Sequence, residues 1–257
     1  MTKILVVSDI HQDDRALDSL LKHGKDYESI WFLGDIVGHE DHMDHKYDGY
    51  KGDASACYEM LRYWQADCII GNWEYWLLHP EKDEDESANQ HKYAGDLAHV
   101  RTALSKNGML SWVATWPSTL IFESFTLVHG SIDSDGQENI QPCELYLFPE
   151  DLDLVERIFL YEKLSTPHML FGHTHLPGYF TCNRDHMPEW AYIKENDFNQ
   201  EYLYNIHNHF LHFVINPGSL SLNRDKKTGG FQSALMGMAL EIDTKKQTFC
   251  YIPVTAE

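Results

Sequence analysis

Seven residues of this sequence have side chains suited to holding metal ions, and they recur in one setting. The run "VVSDIH" reaches Asp9 and His11, "WFLGD" reaches Asp35 and "IIGN" reaches Asn72. Further along, "TLVHG" reaches His129, and "LFGHTH" reaches His173 and His175. Each is a short apolar run closed by a donor residue. Mixed nitrogen and oxygen donors suit Mn, Fe, Zn, Co or Ni better than Mg or Ca. Seven donors are too many for one tetrahedral ion and fit two ions that share a carboxylate. Two ions about 3.5–4 Å apart can activate a bridging hydroxide and clamp a phosphorus centre. On an extended chain, Asp-x-His and His-Thr-His each put two donors on one side. Either pair alone is common by chance, whereas five such elements, each ending an apolar run, are not.

The elements that must position these donors follow from the apolar pattern. Lys3–Ser8, Ser29–Leu33 and Cys68–Ile70 read as strands, and Asp13–Gly24 and Ala54–Gln65 as helices between them. Strand, helix, strand, helix, strand predicts parallel βαβ units. Tyr93–Asn107 reads as a helix, and Ser118–Phe122 with Phe125–His129 as paired strands. Pro142–Leu164 reads as mostly helical, with a break near Pro149, and His168–Phe171 as a strand. The last third is strand-rich: Gly178–Cys182, Leu211–Ile215, Ala234–Asp243 and Gln247–Val254. In open α/β sheets, sites form at the carboxyl ends of the strands. Counting "VINPGS", six strand ends would converge on one place.

Composition narrows the partners. A chain of 257 residues with 43% hydrophobic content can bury a sizeable core and is globular. A net charge of −20 argues against nucleic-acid duplexes and anionic membranes. Bound metal ions would reverse that charge locally and admit an anionic substrate. Five scattered cysteines without a C-x-x-C pair argue against a disulfide framework and for a reducing cytoplasm. The N-terminal apolar run is too short for a membrane span or a signal-peptide core.

The order D-x-H, G-D, G-N, V-H-G, G-H-T-H resembles the calcineurin-like metallophosphoesterase superfamily. "INPGSLSLNR" at Ile215–Arg224 resembles its small bacterial and archaeal phosphodiesterase branch, in which N-P-G-S closes the site. The resemblance implies a four-layer αββα sandwich, two mixed β-sheets face to face with helices outside. It implies a single domain over residues 1–257, with the long polar stretch 183–212 as an insertion or lid. It implies two metal ions, manganese first among the choices. Asp9, His11, Asp35 and His175 would hold one, and Asp35, Asn72, His129 and His173 the other. Asp35 would bridge, Asn72 would also orient the phosphate, and hydroxide between the ions would attack phosphorus in line.

The residue after G-N, often a histidine that protonates the leaving oxygen in related phosphatases, is Trp73 here. A tryptophan cannot serve as that acid, so substrates with stable leaving groups are favoured. G-N-W-E resembles the asymmetric diadenosine tetraphosphate hydrolases, which makes such dinucleotides the narrower expectation. A general phosphodiesterase is the alternative. A non-catalytic scaffold of the same fold is disfavoured by the intact donors. Trp73 is also a candidate to stack on a substrate base, although a core position is the simpler reading. Arg224 and Lys226 are candidates for a distal phosphate. Asp13 reads as a helix N-cap, and Glu74 as either a site residue or a helix-start carboxylate. His39, His42 and His45 lie in an acidic loop that reads as solvated.

Overall fold

The computed structural model describes residues 3–22, 26–38, 52–80, 94–122, 124–132, 141–160, 164–183, 186–204, 211–221 and 236–255. Within them two six-stranded sheets form. The first runs β3 (Asp67–Cys68), β2 (Ser29–Phe32), β1 (Lys3–Val7), β11 (Met236–Asp243), β12 (Thr248–Thr255) and β9 (Tyr202–Leu203). The second runs β4 (Thr119–Phe122), β5 (Phe125–Val128), β6 (His168–Leu170), β10 (Leu211–Asn216), β7 (Gly178–Asn183) and β8 (His186–Tyr192). Both are mixed. β1, β2 and β3 are parallel and β11 runs against them; β5, β6 and β10 are parallel and β4 and β7 run against them.

The period-2 alternation of strand residues sorts the core into layers. Ile4, Val6, Trp31 and Leu33 face Phe125, Leu127, Leu170, Phe213 and Ile215 between the sheets. The alternate residues Leu5, Val7, Ile30 and Phe32 face the helices of the first sheet. Those helices are α1 (Asp14–Lys22), α2 (Ala54–Tyr63), α3 (Asn72–Leu78), α4 (Ala94–Lys106) and α5 (Met109–Val113). On the far side Val128, Met169 and Val214 pack against α6 (Leu152–Leu160) through Val155 and Ile158. This is the four-layer αββα sandwich expected of the sequence. Among the described residues no helix is long and apolar enough to cross a membrane.

The structure adds detail to the sequence reading in two stretches. Within 183–212, read as an insertion or lid, β8 pairs with β7 and β9 pairs with β12. Pro142–Leu164 is not one helix. A 3-10 turn at Pro142–Glu144 leads into extended chain, and α6 starts only at Leu152. Phe148 precedes Pro149, a position biased away from helix. Leu145 and Leu147 are buried while Tyr146 and Phe148 are exposed, which is a strand-like alternation.

Candidate metal centre

Six strand ends deliver the predicted residues to one edge of the sandwich. β1 leads to Asp9 and His11, β2 to Asp35, β3 to Asn72, β5 to His129, β6 to His173 and His175, and β10 to Asn216. The donors fall into two groups. Asp9, His11 and His175 form one, and Asp35, His129 and His173 form the other, with the donor atoms of each within 4.8 Å of one another. In the first group His11 Nε2 lies 3.0 Å from His175 Nε2, and His175 Nε2 lies 3.2 Å from Asp9 Oδ1. In the second, His129 Nε2 lies 3.1 Å from Asp35 Oδ2 and 3.2 Å from Asn72 Oδ1. Asp35 is grouped with the second set alone. All seven residues are buried except His175, which is partly exposed.

The pairing of Asp9 with His11 does not come from strand alternation. Both lie past the end of β1 with left-handed backbone, at φ 53° and 45°. Asp35, His173 and His175 are left-handed too, at φ 66°, 67° and 59°. Gln12 adopts φ 64° and is held by its side-chain amide donating to the Gly38 carbonyl. Left-handed backbone costs a non-glycine residue roughly 1–2 kcal/mol, so these turns are imposed by their surroundings.

Those surroundings are close contacts between loops. A Cβ on Gly34, at φ +100°, would lie 2.6 Å from the Gly71 Cα, and one on Gly71 would lie 2.2 Å from Asp35 Oδ1. Only two glycines let the ends of β2 and β3 approach so nearly. Glu74, fully buried, then ties the two ends together. Its Oε2 accepts from the Asp35 and Gly71 N–H groups at 2.8 and 3.1 Å. Its Oε1 accepts from the Ile36 N–H at 2.8 Å and the Tyr58 hydroxyl at 3.2 Å. Glu74 does sit in the first turn of α3, but its work is to hold the Asp35 loop. Asp13 caps α1, accepting from the Ala16 N–H at 3.1 Å.

The N-P-G-S stretch closes the edge. Asn216 Nδ2 donates to the Gly172 carbonyl at 3.0 Å and the Thr174 hydroxyl at 2.9 Å, fixing the His173 turn. The Ser219 hydroxyl donates to the Asp9 carbonyl at 2.8 Å. Gly218 supplies a left-handed turn at φ +82°.

Electrostatics and tautomers agree with the grouping. His11 Nδ1 donates to the Val37 carbonyl at 2.8 Å and His129 Nδ1 to the Leu33 carbonyl at 2.7 Å, so both present Nε2 to the site. Burial works to lower the His129 imidazole, but Asp35 and then Asp9 hold it up to about 9. Burial, with His129 beside it, drives His173 well below the usual range. Burial alone would raise Asp9, yet His175, His129 and His11 hold it low. Asp35 is raised, first by burial. Burial and the Asp35 charge push Glu74 up to about 7, against the backbone N–H bonds it accepts. His173 Nε2 is buried with no hydrogen-bond partner among the described residues, which a ligated metal ion would satisfy. With two imidazoles and a carboxylate in each group, the donor chemistry fits divalent ions.

Trp73 is 6% exposed and belongs to the helix-side core, edge-on to His11 at 6.4 Å and to Trp76 at 5.4 Å. Its apolar surface draws it inward, to the core position that is the simpler reading of this residue. Its backbone N–H donates to Asp35 Oδ1 at 3.1 Å. Arg224, Lys226, His39, His42 and His45 lie outside the described residues. The sequence reading missed Tyr146, whose ring stacks on His173 at 3.8 Å. The only signal was the alternation in "ELYLF".

Comparison with known proteins places this geometry. Residues 2–237 match the calcineurin-like phosphoesterase superfamily domain. An uncharacterised protein of Methanocaldococcus jannaschii is 29% identical over 177 residues, 68% of this chain and 63% of its own length. The chain thus spans under two thirds of that relative. A metallophosphoesterase from Sphaerobacter thermophilus superposes with a TM-score of 0.66 at 20% identity, covering 100% of this chain and 90% of its own. A hypothetical protein from Pyrococcus horikoshii gives 0.64 at 14%, covering 100% and 89%. A protein described as a candidate diadenosine tetraphosphatase gives 0.50 at 14%, covering 100% and 95%. The three structures share the fold, and the domain match runs across nearly the whole sequence; the chain belongs to the calcineurin-like phosphoesterase superfamily.

Proposed function

We propose that this protein is a metal-dependent phosphoesterase acting on phosphodiester or phosphoanhydride bonds of small nucleotides. The carrying observation is the pair of adjacent donor groups, each one carboxylate and two imidazoles. Asp9, His11 and His175 would hold one ion and Asn72, His129 and His173 the other, with Asp35 serving both. Manganese is the first choice for both. Ions held there supply Lewis acidity and an activated water for attack at phosphorus. The chain's own part is to fix the donors. The Val37 and Leu33 carbonyls set the tautomers of His11 and His129, and Glu74 anchors the backbone of Asp35. Asn72, at the start of α3, orients the phosphate. Arg224 and Lys226 meet a distal phosphate.

The indole at position 73 brings no acid to the leaving oxygen, so a leaving group that departs as a stable anion is favoured. Nucleotide and aryl leaving groups meet that need, and dinucleoside polyphosphates of the diadenosine tetraphosphate kind are the narrower reading. The neighbour described as a candidate diadenosine tetraphosphatase supports it. Five unpaired cysteines support action in a reducing cytoplasm. The test is turnover of bis-p-nitrophenyl phosphate and of a nucleotide panel with Mn²⁺, alongside metal content. The expected result is Mn²⁺-dependent hydrolysis with two ions per chain. Absence of both turnover and bound metal overturns the reading.

A further inference from the structure

We propose that Tyr146 and Phe148 form an aromatic platform beside the metal centre that takes the planar ring of the substrate, a nucleobase or an aryl group. The rings are stacked on each other, centroids 5.2 Å apart and planes within 2°. Tyr146 stacks in turn on His173, at 3.8 Å and 29°. The stack therefore starts on a donor of the second group and runs outward from it. Tyr146 remains 50% exposed and Phe148 38% exposed, although Leu145 and Leu147 between and beside them are buried. Large aromatics left half in water are unremarkable singly. Two of them, stacked in parallel and continuous with a donor imidazole, are a surface made for a third ring.

The platform is held rigidly. The Ser131 N–H donates to the Pro142 carbonyl at 3.1 Å, and a Cβ on Gly130 would meet the Leu145 carbonyl oxygen, so this segment lies flush on the end of β5. The Glu144 carboxylate accepts from the Trp76 indole N–H at 2.8 Å and from the Gln141 N–H at 3.2 Å. That links the segment to α3 and the donor loop beneath it. A ring docking on a fixed platform loses little freedom beyond its own, so stacking is retained as affinity. Glu144, Glu150 and Asp151, close to the platform in sequence, are acidic and give an anionic phosphate no partner there.

This inference rests on the phosphoesterase reading for placing phosphate at the donors. The test is calorimetric titration of the Mn²⁺-loaded protein with adenosine 5′-monophosphate and, separately, inorganic phosphate. The wild type is expected to bind the nucleotide more tightly than phosphate. Phe148→Ala should weaken the nucleotide roughly tenfold and shift phosphate by less than twofold. Phe148→Leu, which keeps apolar bulk without a ring, should show the same loss, and Phe148→Trp should restore the affinity. Equal weakening of both ligands, or a wild type that binds both alike, overturns the platform. The two readings fail separately. Ring-dependent binding without phosphodiester turnover leaves the platform and removes the enzyme. Turnover with ring-independent binding does the reverse.

Discussion

Glu74 shows how one side chain can govern a centre it does not enter. Its two oxygens accept from four backbone N–H groups, those of Asp35, Ile36, Val37 and Gly71, and from the Tyr58 hydroxyl. Glutamine is nearly isosteric, but its amide would point hydrogens at donors. Leaving a buried donor unmatched costs about 1–3 kcal/mol, and bonds to a charged acceptor are at the upper end. Glu74→Gln is therefore expected to lose about 3 kcal/mol and to lower Tm by roughly 6–12 °C for a chain of this size. Thermal denaturation checks it, and an unchanged Tm would show that these bonds contribute nothing. The same loss should loosen the left-handed turn at Asp35, a residue that is not itself glycine. The donors themselves were legible as residue types ending apolar runs. Their backbone was not, because Asp9, His11, Asp35, His173 and His175 adopt a conformation usually signalled by glycine.

At the scale of elements, the opposite end of β6 carries a different burden. His168 begins the strand, wholly buried, its Nδ1 accepting from the Phe213 N–H at 3.2 Å. It packs among Phe125, Tyr204 and Phe213, and its Nε2 has no partner. Burial, and then His212 nearby, lowers its pKa to about 3. An unfolded histidine titrates near 6.5, so below that pH the unfolded chain binds a proton that the folded one refuses. Stability is thus fully present above about 6.5 and is lost as pH falls toward 3. His168→Asn keeps an acceptor at the same place and cannot titrate. Between pH 7 and 5 the wild type should lose about 2 kcal/mol more than the variant in urea unfolding. Parallel curves would mean that the imidazole is protonated in place. The strand itself was legible as an apolar run, as were most of the elements that position the donors. Those missed had weak or misleading patterns. β8 contains Pro188 at an irregular register and pairs only as an edge, where proline is tolerated. The extended segment after Glu144 was hidden by its leucines, which fit a helix as well as a strand.

For the whole molecule, the centre is a junction between the two sheets. Asp9 and Asp35 come from the first sheet and His129 and His173 from the second, so ions bound by these donors would tie the halves together. Without ions, two carboxylates at most 1% exposed sit in a chain of net charge −20. The His129 imidazole, held up to about 9 beside Asp35, matches part of that charge, and bound cations would match the rest. Metal should therefore stabilise the fold well beyond the site. At a free concentration 100-fold above Kd, one ion contributes about 2.7 kcal/mol. Two ions would contribute about twice that, and at about 2–4 °C per kcal/mol Mn²⁺ is expected to raise Tm by roughly 10–20 °C over chelated protein. Ca²⁺ should raise it less, since imidazole-rich sites disfavour it. Asp35→Asn discriminates further. If Asp35 serves both ions, the variant should lose most of the Mn²⁺ shift and all turnover, while its chelated Tm stays near that of the wild type, since the carboxylate charge and its pairing with His129 go together. A shift of half the size would assign Asp35 to one ion only, in keeping with its grouping beside His129 and His173. A full shift would remove it from the ligand set altogether.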